Sequence, residues 1–170
     1  LLVTIIAVLF GLQLSASAAD TDLVFTLNSD NASYTVAGAG TTVSGDIVIP
    51  ETYQGLPVTN IADKAFYNCS GINSVVVSDS VTTIGENAFY ECENLKDITI
   101  SNSVTTIGRK AFYYCKSLET ITIPDSVSFI GGGAFEACVE LKNITLSKSV
   151  KSIEHFAFSG CKKLSSINLP

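Results

Sequence analysis

Residues 81–103 form the most informative stretch of the chain and read V-T-T-I-G-E-N-A-F-Y-E-C-E-N-L-K-D-I-T-I-S-N-S. The next 23 residues, 104–126, repeat it as V-T-T-I-G-R-K-A-F-Y-Y-C-K-S-L-E-T-I-T-I-P-D-S. Eight apolar positions recur in the unit without an insertion. One unit is too short to close a core around them, so they are buried only if successive units stack. The repeat therefore predicts a solenoid.

The same pattern extends in both directions from this stretch. In every unit Ala-Phe is followed by a Cys three residues after the Phe. The residues expected in the core are Phe66, Phe89, Phe112, Phe135, Phe158, Cys69, Cys92, Cys115, Cys138 and Cys161. The predicted units are 58–80, 81–103, 104–126, 127–149 and a partial fifth unit, 150–170.

Two local periods appear within each unit. The closing I-x-I segment has the period of two that is typical of a β-strand, with β-branched residues pointing inward. Ala, Phe and Cys lie at i, i+1 and i+4, which one helical or 3-10 turn brings to a common face. We therefore expect one short parallel β-strand and one helical or 3-10 turn in each 23-residue coil.

The first residues predict a secretion signal. Residues 1–19 contain no charged side chain, begin with an apolar run and end in Ala16-Ser17-Ala18, the small-x-small pattern of a signal peptidase site. The apolar run is shorter than the roughly 20 residues that a transmembrane helix needs. We interpret residues 1–19 as a signal peptide truncated at its N-terminus, which favours a secreted or cell-surface location.

The segment 20–57 predicts a β-rich N-terminal cap. Residues 23–27 and 33–36 alternate in polarity on either side of a polar turn, as in a β-hairpin. Residues 47–49 copy the repeat strand, and five extra residues within 52–57 predict an irregular loop. A terminal unit with a polar outer face keeps an open stack soluble.

These motifs resemble those of a known family. The pattern L-x-x-I-x-I-x-x-S at residues 95–103 resembles the core of leucine-rich repeats, and I-G-x-x-A-F-x-x-C at residues 84–92 is similar to the BspA-type leucine-rich repeat family. The resemblance covers residues 58–170, and residues 25–57 resemble that family's N-terminal cap. It implies a leucine-rich repeat solenoid. It also implies a cell-surface protein, of bacteria or a mucosal protist, that contacts host or extracellular-matrix proteins.

Composition argues against several classes of function. The chain has 16 acidic and 10 basic residues, a net charge of -6, so nucleic acid is not expected as a partner. A single histidine leaves almost nothing for a metal site or a His-based catalyst, and we expect no cofactor, no metal and no enzymatic activity. A dyad of His155 and Cys161 would need an orienting residue and an exposed thiolate. We expect a surface histidine and a buried cysteine instead.

The five cysteines allow two interpretations. Equivalent Cα atoms of neighbouring coils lie about 4.8 Å apart, which falls within the range of a disulfide. However, the number is odd, and free Cys is among the most buried residue types. We interpret the cysteines as small apolar fillers beside the phenylalanines.

Two surfaces are candidates for binding. The first is the outward, expected concave, face of the sheet, which is polar and small-sided and lacks the Trp, Tyr and Arg typical of interface hot spots. Its candidate residues are Ser74, Val76, Asp97, Thr99, Thr120, Thr122, Asn143, Thr145, Ser166 and Asn168. The second surface is a set of aromatic residues near the predicted helical turn, namely Tyr67, Tyr90, Tyr113 and Tyr114.

We predict a secreted or surface-displayed protein-binding or adhesion module. The expected partner is an extracellular or host protein, with a glycan as an alternative, and no membrane insertion of the segment after the signal. One other hypothesis is a structural spacer that presents a domain beyond residue 170. Another is an ice- or glycan-binding solenoid, suggested by a threonine column, although the neighbouring column of Ser74, Asp97, Thr120 and Asn143 is not a second one.

Overall fold

A computed structural model describes residues 23–40 and 43–167 of the chain. The predicted signal peptide, residues 1–19, lies outside the described residues. The described residues form a solenoid built from short strands, and each 23-residue turn of it is called a coil below. The strands are β1 (Leu23–Leu27), β2 (Tyr34–Ala39), β3 (Gly45–Ile49), β4 (Thr52–Tyr53), β5 (Leu56–Ile61), β6 (Ile72–Val77), β7 (Thr83–Ile84), β8 (Asp97–Thr99), β9 (Thr106–Ile107), β10 (Thr120–Thr122), β11 (Phe129–Ile130), β12 (Asn143–Thr145) and β13 (Ser152–Ile153).

The strands form two sheets that run along the solenoid. Sheet A has the order β1-β2-β5-β7-β9-β11-β13, with β4 beside β5, and all pairs from β2 to β13 along that path are parallel. Sheet B contains the predicted I-x-I strands and has two parts, β3-β6-β8 and β10-β12. Each complete coil therefore contributes two short strands, whereas the sequence predicted one. The missed strand is a Thr-Ile pair or its equivalent, too short to show a period.

Sheet B is interrupted in the middle. Within the described part of the chain, no strand pairing joins β8 to β10. The second residue after β10 is Pro124, which has no N–H to donate to the preceding coil.

The predicted helical or 3-10 turn is wrong, because the described residues contain no helix. In its place lies a series of separate turns. The N–H of Cys92 donates to the carbonyl of Phe89 (3.2 Å), and the N–H of Tyr90 donates to that of Asn87 (3.1 Å). The intervening N–H groups bond to the next coil, as Phe89 does to the carbonyl of Ala111 (2.7 Å). Every second N–H in this segment therefore donates to the next coil and is not available for a hydrogen bond within a helix.

Backbone handedness gives the second reason for the absence of a helix. Asn87 and Glu91 have φ of 54° and 56°, in the left-handed region that a right-handed helix excludes. The same two positions are left-handed in every coil: Lys64, Asn87, Lys110, Gly133 and Phe156 at the first, and Asn68, Glu91, Tyr114, Ala137 and Gly160 at the second. Because most of these residues are not glycine, the left-handed conformation is hard to predict from the sequence.

The N-terminal segment pairs with both sheets. The predicted hairpin forms, with β1 antiparallel to β2, and β3 lies parallel to β6 with Ile47 opposite Val75. The extra residues of 52–57 are not irregular. They form a second hairpin between β4 and β5, whose two-residue turn has φ of 49° at Gln54 and 82° at Gly55, the positive values typical of a type I′ turn.

Neighbouring coils approach each other closely at a column of glycines, Gly85, Gly108 and Gly131. A Cβ atom at Gly108 would lie 2.6 Å from the carbonyl carbon of Gly85 and 2.7 Å from the nitrogen of Glu86. Both atoms belong to the backbone of the preceding coil, so they cannot move aside by a change of side-chain rotamer. These glycines have no positive φ and are needed for close approach alone.

The substitution Gly108→Ala is expected to lower the free energy of unfolding by about 1–3 kcal/mol, because the coils must separate to admit the methyl group. Urea denaturation measures the change. Gly38→Ala is the matched control, since the nearest atom to its Cβ would be the carbonyl oxygen of Ala65 at 3.6 Å, an ordinary contact. Equal losses of stability in the two variants would contradict the close-approach explanation.

Across 23–40 and 43–167, no helix has the length and apolarity needed to cross a membrane.

Candidate binding surfaces

The strands of sheet B alternate between outward and inward side chains, as the predicted period of two requires. On β8, Asp97 and Thr99 are exposed while Ile98 between them is only 4% exposed. Strands β10 and β12 repeat this alternation. Their exposed residues are Thr120, Thr122, Asn143 and Thr145.

The ends of this face differ from its centre. On β6, Val76 is exposed and Ser74 is half-buried, with its hydroxyl donating to the Asp46 carboxylate at 2.7 Å. Ser166 is exposed and lies in no strand, and Asn168 falls outside the described residues.

The threonine column of this face is not continuous. Thr99 lies beside Val76, and Thr122 lies beside Thr145, as neighbours in paired strands. Thr99 and Thr122 lie on either side of the division of sheet B, where a cavity of about 280 Å³ separates the strands. The regular array of hydroxyls that the sequence suggested is thus broken at its centre.

A larger depression crosses β3, β6 and β8. It encloses about 480 Å³ and is called the Ser101 groove here, after the residue at its inner end. Val48, Val76 and Thr99 are consecutive partners across these three strands and line it. Ser101 is 7% exposed, and its hydroxyl has no hydrogen-bond partner within residues 23–40 and 43–167. The 23-residue repeat does not predict this site, because the site depends on the register between the cap strand β3 and the strands of the first coils.

The four predicted tyrosines come together in the turn segments and form what we call the tyrosine stripe. Tyr67, Tyr90 and Tyr113 lie at one repeat position, and their rings stack with centroids 4.7 and 4.6 Å apart and nearly parallel planes. Tyr114 lies beside Tyr113 at 5.9 Å. Tyr67 is 46% exposed, and the other three are half-buried.

Two lysines lie over this stripe. The ammonium of Lys110 is 5.0 Å from the ring centroid of Tyr113, and that of Lys116 is 4.3 Å from Tyr114. Lys116 also forms an ion pair with Glu93 at 3.0 Å. Partial desolvation, together with the neighbouring Glu91 carboxylate, raises the pKa of Tyr90 above its ordinary value, so the phenol stays neutral. The stripe therefore combines neutral aromatic rings with positive charge.

The phenylalanine column is buried as predicted. Phe66, Phe89, Phe112 and Phe135 have no exposed surface, and Phe158 packs half-buried against them. Successive rings are nearly parallel, with centroids 4.9 to 5.5 Å apart.

The cysteines lie beside this stack as free thiols. Cys92, Cys115 and Cys138 are buried, whereas Cys69 and Cys161 are partly exposed. The thiols of the four later cysteines each donate to the carbonyl of the Phe in the preceding coil, at 3.1 to 3.2 Å. The geometry is that of a filler with one hydrogen bond.

Burial governs the acidity of these thiols. It raises the pKa of Cys92 to about 12 from an ordinary 9.0, and it raises the pKa of Cys115 and Cys138 well above that ordinary value. The partly exposed Cys161 has its pKa raised to about 11. A nucleophilic cysteine needs the opposite shift, because the thiolate is the reactive form.

The single histidine lies at the surface. His155 is exposed and contacts Phe156 edge-on at 5.4 Å. No group of three or more His, Cys, Asp or Glu side chains among the described residues is arranged to hold a metal ion.

Ion pairs between coils were not anticipated from the sequence. In the described part of the chain, four such pairs join an acidic residue to a basic residue 23 positions later: Glu86–Arg109, Glu93–Lys116, Glu119–Lys142 and Glu140–Lys163. The Lys142 ammonium lies 2.6 Å from Glu119 and holds the pKa of that carboxyl below its ordinary value. All eight side chains are well exposed, so each pair contributes little to stability.

Solved structures of bacterial repeat proteins are similar to this chain. A leucine-rich repeat protein of T. pallidum is 28% identical with a TM-score of 0.68, over 88% of this chain and 80% of that one. One from Bacteroides ovatus is 30% identical with a TM-score of 0.67, over 88% of this chain and 46% of that one. A leucine-rich cell surface protein from Faecalibacterium prausnitzii is 33% identical with a TM-score of 0.60, over 85% and 46%. This chain spans less than half of the last two proteins.

Sequence comparison points to the same kind of protein. No curated protein matches the chain. The model of the BspA type Leucine rich repeat region matches residues 59–170 in six copies, one more than the five 23-residue units read from the sequence. The matched region includes more than half of the chain and contains the Phe and Cys columns of the core. The chain belongs to the BspA-type leucine-rich repeat family.

Proposed function

We propose that this chain is a secreted or surface-displayed module that binds another protein through the tyrosine stripe. The observation that carries the proposal is the stack of Tyr67, Tyr90 and Tyr113 with partly exposed rings. Tyrosine is among the residue types that dominate binding hot spots. A side chain already held in a stack loses little further conformational freedom when a partner covers it.

Charge on the stripe supports a protein partner. Lys110 lies over the ring of Tyr113 and belongs to none of the ion pairs found among the described residues, so a partner with an acidic side chain meets a cation and aromatic surface together. The charge of Lys116 over Tyr114 is already balanced by Glu93. The outward face of sheet B has no aromatic side chain on β6, β8, β10 or β12. The stripe is therefore the better candidate of the two surfaces.

The proposed location and the absence of catalysis have their own support. The family match and the similarity to a cell surface protein of Faecalibacterium prausnitzii favour an extracellular location. The buried thiols with raised pKa and the lone surface histidine offer no activated nucleophile. We propose that the chain binds without catalysing a reaction.

The test is binding of the chain to immobilised laminin, collagen and fibronectin, measured by surface plasmon resonance. Tyr90→Ala is expected to weaken binding about 30-fold or more, the loss typical of a hot spot. Tyr90→Phe keeps the ring and the stack, and should weaken it only about two- to ten-fold, as a lost phenol hydrogen bond does. Thermal unfolding of each variant confirms that the fold is intact.

Thr122→Ala, on the exposed face of β10, is the matched control and should leave binding unchanged. If Thr122→Ala weakens binding while Tyr90→Ala does not, the stripe is the wrong surface. If the unmodified chain binds none of the three proteins and no glycan of a glycan array, the result favours a structural spacer and contradicts the proposal.

A further inference from the structure

The Ser101 groove is a second candidate binding site, separate from the tyrosine stripe. Its floor crosses three coils, with Val48, Val76 and Thr99 side by side on β3, β6 and β8. Val48 is 39% and Val76 is 42% exposed, two of the more exposed aliphatic side chains of the described residues. At the corresponding position the later strands carry Thr122 and Thr145. The groove thus replaces polar side chains with two apolar ones.

The rim of the groove is negatively charged. Glu51 and Asp79 line it, and its lining contains no Lys, Arg or His. Both carboxylates are exposed, and neither belongs to any ion pair found in the described part of the chain. A ligand for this site therefore has an apolar portion for the valines and a positive charge for the rim.

Ser101 supplies an unsatisfied polar group at the same place. The equivalent Ser78 donates to the carbonyl of Pro50 at 3.1 Å, and the equivalent Ser147 accepts from the N–H of Ser149 at 2.9 Å. Among the side chains that the structure describes, only the Ser101 hydroxyl is buried without a hydrogen-bond partner. A buried hydroxyl without a partner is costly, and a donor on a ligand removes that cost.

Other ligand classes fit these features less well. An anionic ligand is repelled by Glu51 and Asp79. A purely apolar ligand desolvates both carboxylates with nothing to compensate them. A sugar ring ordinarily stacks on an aromatic side chain, and the lining of the groove has none.

We propose that the Ser101 groove binds a lysine side chain of a partner protein. The methylene stem packs on Val48 and Val76, as lysine stems do on apolar surfaces. The ammonium has three donors and meets the carboxylates of Glu51 and Asp79 together with the Ser101 hydroxyl, which turns toward it about χ1.

The test is a titration of the isotopically labelled full chain with N-acetyl-lysine N′-methylamide, followed by the amide signals of its NMR spectrum. Saturable shifts are expected at Val76, Asp79 and Ser101 with a Kd of about 1–10 mM, reasonable for one side chain. The norleucine analogue has the same stem without the charge and should bind at least about five-fold more weakly. Equal binding of the two probes overturns the proposal.

Three substitutions locate the site. Asp79→Asn is expected to weaken lysine binding about two- to five-fold. Asp125→Asn makes the same change at the same repeat position two coils later, outside the groove, and should have no effect. Val76→Thr gives β6 the residue that β8, β10 and β12 carry at this position, so the fold should be retained while binding weakens. Equal effects of Asp79→Asn and Asp125→Asn, or unchanged binding by Val76→Thr, overturn the proposal. Neither result bears on the tyrosine stripe, which shares no residue with the groove.

Discussion

Replacing Phe112 with alanine is expected to lower the free energy of unfolding by about 3–5 kcal/mol. Phe112 has no exposed surface, and its ring stacks between Phe89 at 5.3 Å and Phe135 at 5.2 Å. The substitution leaves a cavity among coils that are joined by sheet A and by hydrogen bonds of the turn segments, such as that from the N–H of Phe89 to the carbonyl of Ala111 (2.7 Å), so the neighbours cannot collapse into it. Urea denaturation followed by circular dichroism measures the loss.

The same change at an exposed site is the control. Phe156 is 66% exposed, and Phe156→Ala should alter the free energy of unfolding by less than about 1 kcal/mol. A loss below about 1 kcal/mol for Phe112→Ala would mean that the Phe stack is not the core of the solenoid.

Alkaline pH is expected to destabilise the chain steeply through its buried thiols. In the unfolded chain these thiols ionise near pH 9, whereas burial raises the pKa of Cys92 to about 12 and raises those of Cys115 and Cys138 well above 9.0. Above pH 9 the unfolded state therefore holds fewer protons than the folded state. The stabilisation is complete below pH 9 and is lost as the pH rises toward the folded pKa values. Each thiol lowers the free energy of unfolding by about 1.4 kcal/mol per pH unit in this range, and the three thiols together lower it by about 4 kcal/mol per pH unit.

Urea denaturation between pH 8 and pH 11 measures this slope. Tyrosine and lysine side chains also ionise in this range, so the informative quantity is the difference between two chains. Cys115→Ala should have lower stability at pH 8 but a slope flatter by about 1.4 kcal/mol per pH unit, because one titrating group is gone. Identical slopes in the two chains would show that Cys115 does not retain its proton in the folded state.

The sequence predicts which side chains form the core, because burial depends on period alone. A repeat position that stays apolar in every coil, such as that of Phe66 to Phe158, can be buried only in the interior of a stack of coils. The same reasoning correctly places Ile98 inward between the outward residues Asp97 and Thr99. These predictions need no knowledge of the backbone path between the columns.

The path itself is what the sequence does not reveal. Ala88, Phe89 and Cys92 are equally consistent with a helical turn and with the separate turns that are present. The choice between them is made by left-handed residues such as Asn87 and Glu91, and by N–H groups that bond to another coil. Residue types at those positions vary from Lys to Ala, so no local signal marks them.

The candidate surfaces show the same division. The tyrosines were found from the sequence because they occupy one repeat position beside the Phe column. The stacking of Tyr90 between its neighbours follows from the coil spacing. The Ser101 groove was not found, because its acidic rim joins a cap residue, Glu51, to Asp79 of the first coil. Their separation of 28 positions falls outside the 23-residue period.

The thiol hydrogen bonds between coils bear on how such a chain can change in length. Each coil from the second onward brings a donor, as Cys115 does, and leaves a carbonyl, as Phe112 does, for the coil that follows. A duplicated 23-residue segment therefore arrives with both halves of its own junction, and neither neighbour needs a compensating substitution. Array length is then free to drift by duplication and deletion of whole coils, while substitution within a coil stays constrained by the columns.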